Sequence, residues 1–344
     1  MPRTASRRAV LIGGACSVLT GCADRLERAS PAFDANPSFE SFDRGFARVV
    51  DTGASPRILG DGYRWSEGPA WDNRRKFLYF TDVPANKAYR WSEAGGIDVF
   101  LDPSGTQGSV AGLREPGANG LLVARSGRLL VCNHGERRLE ALNLESGERS
   151  VLASTFNGRR FNSPNDVIEA PDGTVYFTDP PYGLDGLDAS PLKEQDANGV
   201  YRLSPKGGLV RLVDWLTFPN GLAIAPDGRT LYISQSDPAA PYVYALDLEG
   251  TGQPSVWFDA RPFMESNPGL PDGMAVAETG HVFLAGPGGV LVIDPAGNCL
   301  GRIATGRATA NCAFGEDGRT LFVTAQDRLL SVRTLISGLG TNGA

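Results

Sequence analysis

Short apolar runs recur along the chain in pairs, and a few turn-forming residues separate the two members of each pair. One pair is Gly221-Leu222-Ala223-Ile224 followed by Thr230-Leu231-Tyr232-Ile233-Ser234, and the second run is rich in β-branched and aromatic residues. Runs of this length and composition predict β-strands. The pairs occupy residues 68–71 with 76–81, 120–123 with 128–132, 166–168 with 174–178, 221–224 with 230–234, 273–276 with 281–284, and 312–314 with 320–324.

The residues between paired runs favour tight hairpins, as in Pro171-Asp172-Gly173 and Pro226-Asp227-Gly228. Units that repeat about every 40 to 50 residues are typical of propellers. We therefore predict an all-β fold, a six-bladed β-propeller with four-stranded blades around a central metal-binding channel. A pair of β-sandwiches is the structural alternative.

The last repeat is short after Leu329-Leu330-Ser331-Val332-Arg333. The run Arg57-Ile58-Leu59, just before the first blade, is predicted to supply its missing outer strand and so to close the ring. We place the propeller at residues 46–336 and a tail at residues 337–344.

A carboxylate or carboxamide side chain stands at the head of each blade's first strand. The channel is lined by the innermost strands, so these side chains are expected to form a ring at one of its mouths. The alternative is that they cap strand ends or bond one another around a water-filled hole. The residues are Glu67, Asn119, Asn165, Asn220, Asp272 and Asn311.

Oxygen-only side chains of this kind select a hard cation, and calcium accepts six to eight oxygen ligands, whereas zinc favours Cys or His. Glu67 and Asp272 would balance the charge of one divalent ion. Asn165 and Asn220 would add carbonyl oxygens. We predict one bound divalent metal ion, calcium.

Four motifs resemble those of the SMP-30/gluconolactonase/LRE family, in the same order along the chain. The stretches at residues 176–183 and 286–290 resemble the bacterial gluconolactonase branch. The motifs are Trp65-Ser66-Glu67-Gly68-Pro69, Ser163-Pro164-Asn165-Asp166-Val167, Phe218-Pro219-Asn220-Gly221-Leu222 and Pro271-Asp272-Gly273-Met274.

The resemblance covers about residues 57–333 and implies a six-bladed propeller that holds a divalent metal ion in its channel. It implies that Glu67, Asn220 and Asp272 bind the ion, that Asp272 is also the acid/base, and that Asn165 contacts the ion or the substrate. Vertebrate members carry an arginine two residues before that asparagine, where this chain has Ser163. A substrate contact made by that arginine cannot be transferred to this chain.

The implied activity is metal-dependent hydrolysis of a sugar lactone to the aldonic acid. A lactone is an activated ester, so its hydrolysis needs a polarised carbonyl and a water molecule that loses a proton. Asp272 is the predicted proton acceptor, and the chain has no G-x-S-x-G nucleophile motif. The alternatives are hydrolysis of other lactones or of phosphotriesters, or a non-enzymatic propeller lipoprotein that binds a partner or a glycan.

Asn119, Asn165, His134 and Tyr182 are candidates for substrate binding. His134 follows the second strand of its repeat and would hydrogen-bond a sugar hydroxyl or shuttle a proton, with a surface-loop histidine as the alternative. Tyr182 would stack on a sugar ring, with simple packing as the alternative.

Residues 1–21 contain three arginines and then an apolar stretch, Ala9 to Leu19, which is too short to span a bilayer and typical of a signal peptide. Leu19-Thr20-Gly21-Cys22 resembles a lipobox, and Ser6-Arg7-Arg8-Ala9-Val10-Leu11 resembles a twin-arginine export signal. An ordinary secretory signal is the alternative. We expect an exported, periplasmic protein, lipid-anchored at Cys22, with residues 22–45 as a tether.

The remaining chain is acidic. Three of the 33 basic residues and none of the 39 acidic residues lie in residues 1–21, which leaves a net charge of about −9. This charge argues against nucleic acid as a partner and leaves the lipid anchor as the only predicted membrane contact. Cys132, Cys299 and Cys312 show no spacing typical of a disulfide framework or a zinc site. The sequence indicates no oligomeric state.

Overall fold

Six antiparallel sheets follow one another along the chain, and each corresponds to one predicted repeat. The computed structural model describes residues 36–340. The predicted signal peptide (1–21) and lipobox cysteine (Cys22) lie outside the described residues. The six-bladed, all-β fold predicted from the sequence is confirmed.

We number the sheets as blades 1 to 6, and strands are given from the innermost outward. Blade 1 contains Ser66–Asp72, Phe77–Asp82, Lys87–Ser92 and Gly96–Leu101; blade 2 contains Ala118–Val123, Leu129–Asn133, Arg138–Leu142 and Arg149–Ala153; blade 3 contains Val167–Glu169, Val175–Asp179, Gly199–Leu203 and Leu209–Val213. Blade 4 contains Pro219–Ile224, Thr230–Gln235, Tyr242–Asp247 and Ser255–Asp259; blade 5 contains Met274–Val276, Val282–Gly286, Gly289–Ile293 and Cys299–Ala304; blade 6 contains Thr309–Gly315, Thr320–Ala325 and Arg328–Arg333.

The remaining elements are short. A small hairpin precedes blade 3, and three 3-10 helices lie in connections. These elements are the hairpin strands Thr155–Phe156 and Arg159–Arg160 and the helices Phe46–Arg48, Leu187–Ala189 and Arg261–Phe263.

Blade 6 is completed by a strand from the other end of the chain. Arg57–Asp61 pairs antiparallel with Arg328–Arg333 and brings Arg57 opposite Ser331. This pairing confirms the predicted closure of the ring, in which early and late residues share one sheet.

Two predicted boundaries are wrong. Ser38–Ser41 pairs with Cys299–Ala304 as a fifth strand of blade 5, and Phe46 is completely buried, so residues 38–45 belong to the fold and not to a tether. The reason is packing: Phe39 and Phe46 both join the apolar layer between blades 5 and 6. At the other end, Leu339 N donates to Val276 O over 2.8 Å, so the predicted tail begins too early.

Apolar layers between neighbouring blades form the core. Between blades 5 and 6, for example, Phe283 packs edge to face on Phe314, with ring centroids 5.1 Å apart. Cys132, Cys299 and Cys312 are free thiols, in agreement with the sequence. Within residues 36–340, no helix has the length and apolar character needed to cross a membrane.

Candidate active site

Four of the six heads are followed by a glycine that lets neighbouring blades approach closely. A Cβ atom on Gly68, whose φ is +52°, would lie 2.3 Å from the Asn119 carbonyl oxygen of the next blade. A Cβ atom on Gly221 would lie 2.3 Å from the Asp272 carbonyl oxygen. Only glycine permits this approach of backbones, and the approach places the head side chains around one channel mouth.

Hydroxyl groups on second strands fix the carbonyl oxygens of the heads in the following blade. Each donates across the blade interface, so the peptide groups of the ring are held and the side chains remain for other partners. The bonds are Thr81 Oγ1 to Asn119 O (3.1 Å), Thr178 Oγ1 to Asn220 O (2.7 Å) and Ser234 Oγ to Asp272 O (2.7 Å).

Three buried amides form a hydrogen-bonded chain around the mouth. Asn119 Nδ2 donates to Asn165 Oδ1 over 2.9 Å, and Asn165 Nδ2 donates to Asn220 Oδ1 over 2.6 Å. Asn220 Nδ2 donates to Ser236 Oγ over 2.9 Å. The predicted alternative of side chains that bond one another is therefore present in part. Each amide oxygen still has a second lone pair with which to bind a cation.

The carboxylates of the ring are placed where they repel one another. Burial, followed by the charge of Asp166, raises the pKa of Glu67 to about 8. Burial and the charge of Glu67 raise the pKa of Asp272 well above its usual range. Asp272 Oδ1 is enclosed and has no hydrogen-bond partner among residues 36–340. Carboxylates in such surroundings are stabilised by a bound cation.

The donor set fits a hard cation only if amide oxygens take part. Within the described part of the chain, His, Cys, Asp and Glu side chains alone form no cluster of three that could hold a metal ion. Glu67 and Asp272 with Asn165 and Asn220 supply oxygens only, as calcium prefers. The sixth head, Asn311, lies outside the chain of three amides, and its Oδ1 accepts from Cys312 N over 2.8 Å.

The raised pKa of Glu67 predicts a stability that falls with pH when no cation is bound. Its contribution is fully present below pH 4.5, where the unfolded chain also keeps the proton, and is lost as pH rises to about 8. In the presence of a chelator, the thermal midpoint of Glu67→Gln should therefore fall less between pH 5 and pH 8 than that of the wild type. Equal slopes in scanning calorimetry would contradict the buried position of Glu67.

His134 and Tyr182 both lie near the channel mouth. The His134 ring is completely buried, so the alternative of a surface-loop histidine is wrong, and its Nδ1 lies 3.2 Å from Glu115 Oε2. Tyr182 stacks on Phe218 with ring centroids 5.8 Å apart, so one face of its ring is taken by packing. Substrate contacts of Asn119, Asn165, His134 and Tyr182 stay predictions.

The hydroxyl group of Ser163 stabilises a loop of the fold. Its Oγ donates to Pro180 O over 2.6 Å and accepts from Gly183 N over 2.9 Å. These bonds fix the loop that carries Tyr182.

Sequence reasoning missed two carboxylates near the ring. Asp166 accepts from Leu222 N over 2.8 Å, and burial raises its pKa to about 6. Its position next to Asn165, in one of the four motifs that resemble the family, was an available signal. Glu115 lies in the connection between blades 1 and 2, and no periodicity marks it.

The SMP-30/Gluconolactonase/LRE-like region model matches residues 65–327. The chain belongs to the SMP-30/gluconolactonase/LRE family. Within this family, the chain is 41% identical to a gluconolactonase of Zymomonas mobilis over 84% of either chain. The predicted family membership is therefore confirmed.

Solved structures agree with this assignment. A gluconolactonase from Xanthomonas campestris is 31% identical, covers 89% of this chain and 99% of its own, and gives a TM-score of 0.75. A calcium-binding regucalcin from Agrobacterium tumefaciens is 19% identical, covers 83% of this chain and 95% of its own, and gives a TM-score of 0.66. The second likeness concerns the fold alone.

Proposed function

We propose that this chain hydrolyses a sugar lactone to the aldonic acid at the mouth of the propeller channel. The observation that carries the proposal is 41% identity to a gluconolactonase over 84% of the chain, together with a ring of oxygen-bearing side chains at the channel. The lactone and its aldonic acid are small molecules, and a propeller channel is a site of suitable scale for them.

The proposed cofactor is one divalent ion, calcium, held by Glu67, Asn165, Asn220 and Asp272. Support comes from the all-oxygen donor set and from two carboxylates that burial and mutual repulsion make unfavourable without a cation. Such an ion would polarise the lactone carbonyl and make a nearby water molecule more acidic.

Asp272 is the proposed proton acceptor. The backbone of Asp272 is held at both its N–H and its carbonyl group, since Asp272 N donates to Ala285 O over 2.9 Å and Asp272 O accepts from Ser234 Oγ. Its Oδ1 has no partner among the described residues and can accept a proton from water. Burial and the charge of Glu67 raise the pKa of Asp272, so a neighbouring cation would be needed to keep this carboxylate ionised and able to accept a proton.

Protein that lacks residues 1–22 should hydrolyse glucono-δ-lactone, and removal of divalent ions should abolish the activity. The measurement is acid release at constant pH, corrected for spontaneous hydrolysis, before and after dialysis against EDTA and again with added calcium. Full activity in EDTA would contradict the metal mechanism. A panel of phosphotriesters and unsubstituted lactones tests the alternative substrates.

We further propose that Cys22 carries a lipid anchor and that the protein is exported to the periplasm. The lipobox-like stretch Leu19-Thr20-Gly21-Cys22 supports this proposal. Cys22→Ala should move the protein from the membrane fraction to the soluble fraction of a bacterial host. An unchanged distribution on immunoblots would contradict the anchor.

A further inference from the structure

Glu115 lies in the connection between blades 1 and 2. Its carboxylate lies against the buried ring of His134, which follows the second strand of blade 2. The Glu115 side chain is 12% exposed, and its Oε2 lies 3.2 Å from His134 Nδ1. The His134 ring is completely buried, and neither of its nitrogens has a hydrogen-bonded partner among residues 36–340. The contact between Nδ1 and Glu115 is therefore a close approach without hydrogen-bond geometry.

The main chain on both sides of Glu115 is fixed to three blades. Leu113 forms a β-bridge with Leu184, and Arg114 N donates to Gly183 O over 3.0 Å in the loop of blade 3. Gly117 N donates to Val83 O over 3.1 Å in blade 1, and Gly117 O accepts from His134 N in blade 2. The main chain that carries Glu115 is thus fixed before any ligand binds.

The contacts of Glu115 place it at the channel mouth. Its N donates to Gly183 O over 3.4 Å, and Gly183 N donates to Ser163 Oγ over 2.9 Å, two residues before the head Asn165. Glu115 also lies four residues before the head Asn119. Both connections put Glu115 at the end of blades 2 and 3 where the heads form the ring.

A carboxylate at this place suits a ligand rich in hydroxyl groups. Its two oxygens accept hydrogen bonds from neighbouring hydroxyls, and such charge-assisted bonds are stronger than neutral ones. We propose that Glu115 accepts hydrogen bonds from the ring hydroxyls of a polyhydroxylated lactone, and that the buried His134 ring, 3.2 Å away, is a positioning residue that limits where this carboxylate can lie. This inference rests on the proposed function. It adds a residue that would distinguish hydroxylated lactones from lactones without hydroxyl groups.

Glu115→Gln tests the inference with two lactones of the same ring size. For glucono-δ-lactone, kcat/KM should fall about 10- to 100-fold, the usual range for a lost charged hydrogen bond, mainly through KM. For δ-valerolactone, which has no hydroxyl groups, kcat/KM should stay within about threefold. Glu145→Gln, an 84% exposed carboxylate in a turn of blade 2, is the matched control and should change neither value.

An equal fall on both lactones would overturn the inference, because it would indicate damage to the fold or a role in the chemical step. No fall on either lactone would overturn it as well. His134→Gln should shift selectivity in the same direction as Glu115→Gln, and the double variant should be no worse than Glu115→Gln alone. Additive losses would contradict the positioning role.

Binding of 1,5-anhydroglucitol separates this inference from the proposed function. This polyol has the sugar ring and hydroxyls but no carbonyl, so it cannot be hydrolysed. Titration calorimetry should show about tenfold or more weaker binding to Glu115→Gln than to the wild type, even if the wild type hydrolyses no lactone. Equal affinity would overturn the role of Glu115 whatever the activity.

Discussion

Replacing Asp272 with asparagine is expected to lower kcat by about 10²- to 10⁴-fold, the usual scale for a general acid or base. The amide keeps one carbonyl oxygen for a cation but cannot accept a proton. The substitution also removes the negative charge of residue 272. In the wild type this charge is repelled by Glu67, whose charge contributes to the raised pKa of Asp272. The measurement is the initial rate at saturating lactone over a range of calcium concentrations, and saturating calcium should not restore the rate.

Glu67→Gln is the matched control for this prediction. Both residues head a blade and both face the same ring, but the proton role is proposed only for Asp272. Glu67→Gln should therefore weaken metal binding mainly, and added calcium should recover much of its activity. If Asp272→Asn regains the wild-type rate at high calcium, Asp272 is only a ligand, and His134 is the next candidate for the base.

Repetition is what made the fold predictable from the sequence. Each pair of apolar runs predicts a hairpin, and six hairpins whose heads lie 39 to 55 residues apart define the blades without any long-range information. The closing strand was predictable for the same reason: blade 6 ran short, and Arg57-Ile58-Leu59 was an unassigned strand-like run. The structure pairs it with Arg328–Arg333 as expected.

The extra strand of blade 5 could not be predicted on these grounds. Ser38-Phe39-Glu40-Ser41 contains one apolar side chain, so its local pattern does not distinguish a strand from a polar linker. It becomes a strand because the outer edge of blade 5 offers free backbone groups, and Ser38 pairs with Ala304, far along the chain. Pairing between residues so far apart in the chain produces no periodic pattern in the sequence.

The residues of the candidate site also fall into two groups, those that the sequence indicated and those that only the fold brings together. Glu67, Asn165, Asn220 and Asp272 each stand at a repeated position, so the sequence indicated that they share one channel mouth. Glu115 lies in an irregular connection, and only the folded chain brings it against His134. The glycines that follow four of the heads allow close approach at the axis, and only the folded chain shows which atoms they meet.

Gly221→Ala should lower both stability and activity, because the new Cβ would meet the backbone of the proposed base. That atom would lie 2.3 Å from Asp272 O and 2.6 Å from Gly273 Cα, and neither backbone atom can move without shifting the head of blade 5. The φ of Gly221 is one that alanine adopts, so the effect is steric.

We expect the Gly221→Ala substitution to cost about 3 kcal/mol, or about 5 °C in thermal midpoint, and to lower kcat/KM by about 100-fold, as for a displacement of about 1 Å at a reaction centre. Gly252→Ala is the matched control, because nothing lies within 4 Å of its Cβ and its φ is also ordinary. The two variants should be compared by calorimetry and by lactone hydrolysis at saturating calcium. If Gly221→Ala behaves like Gly252→Ala, then blades 4 and 5 do not approach as closely as the structure indicates, and the position of Asp272 does not depend on this contact.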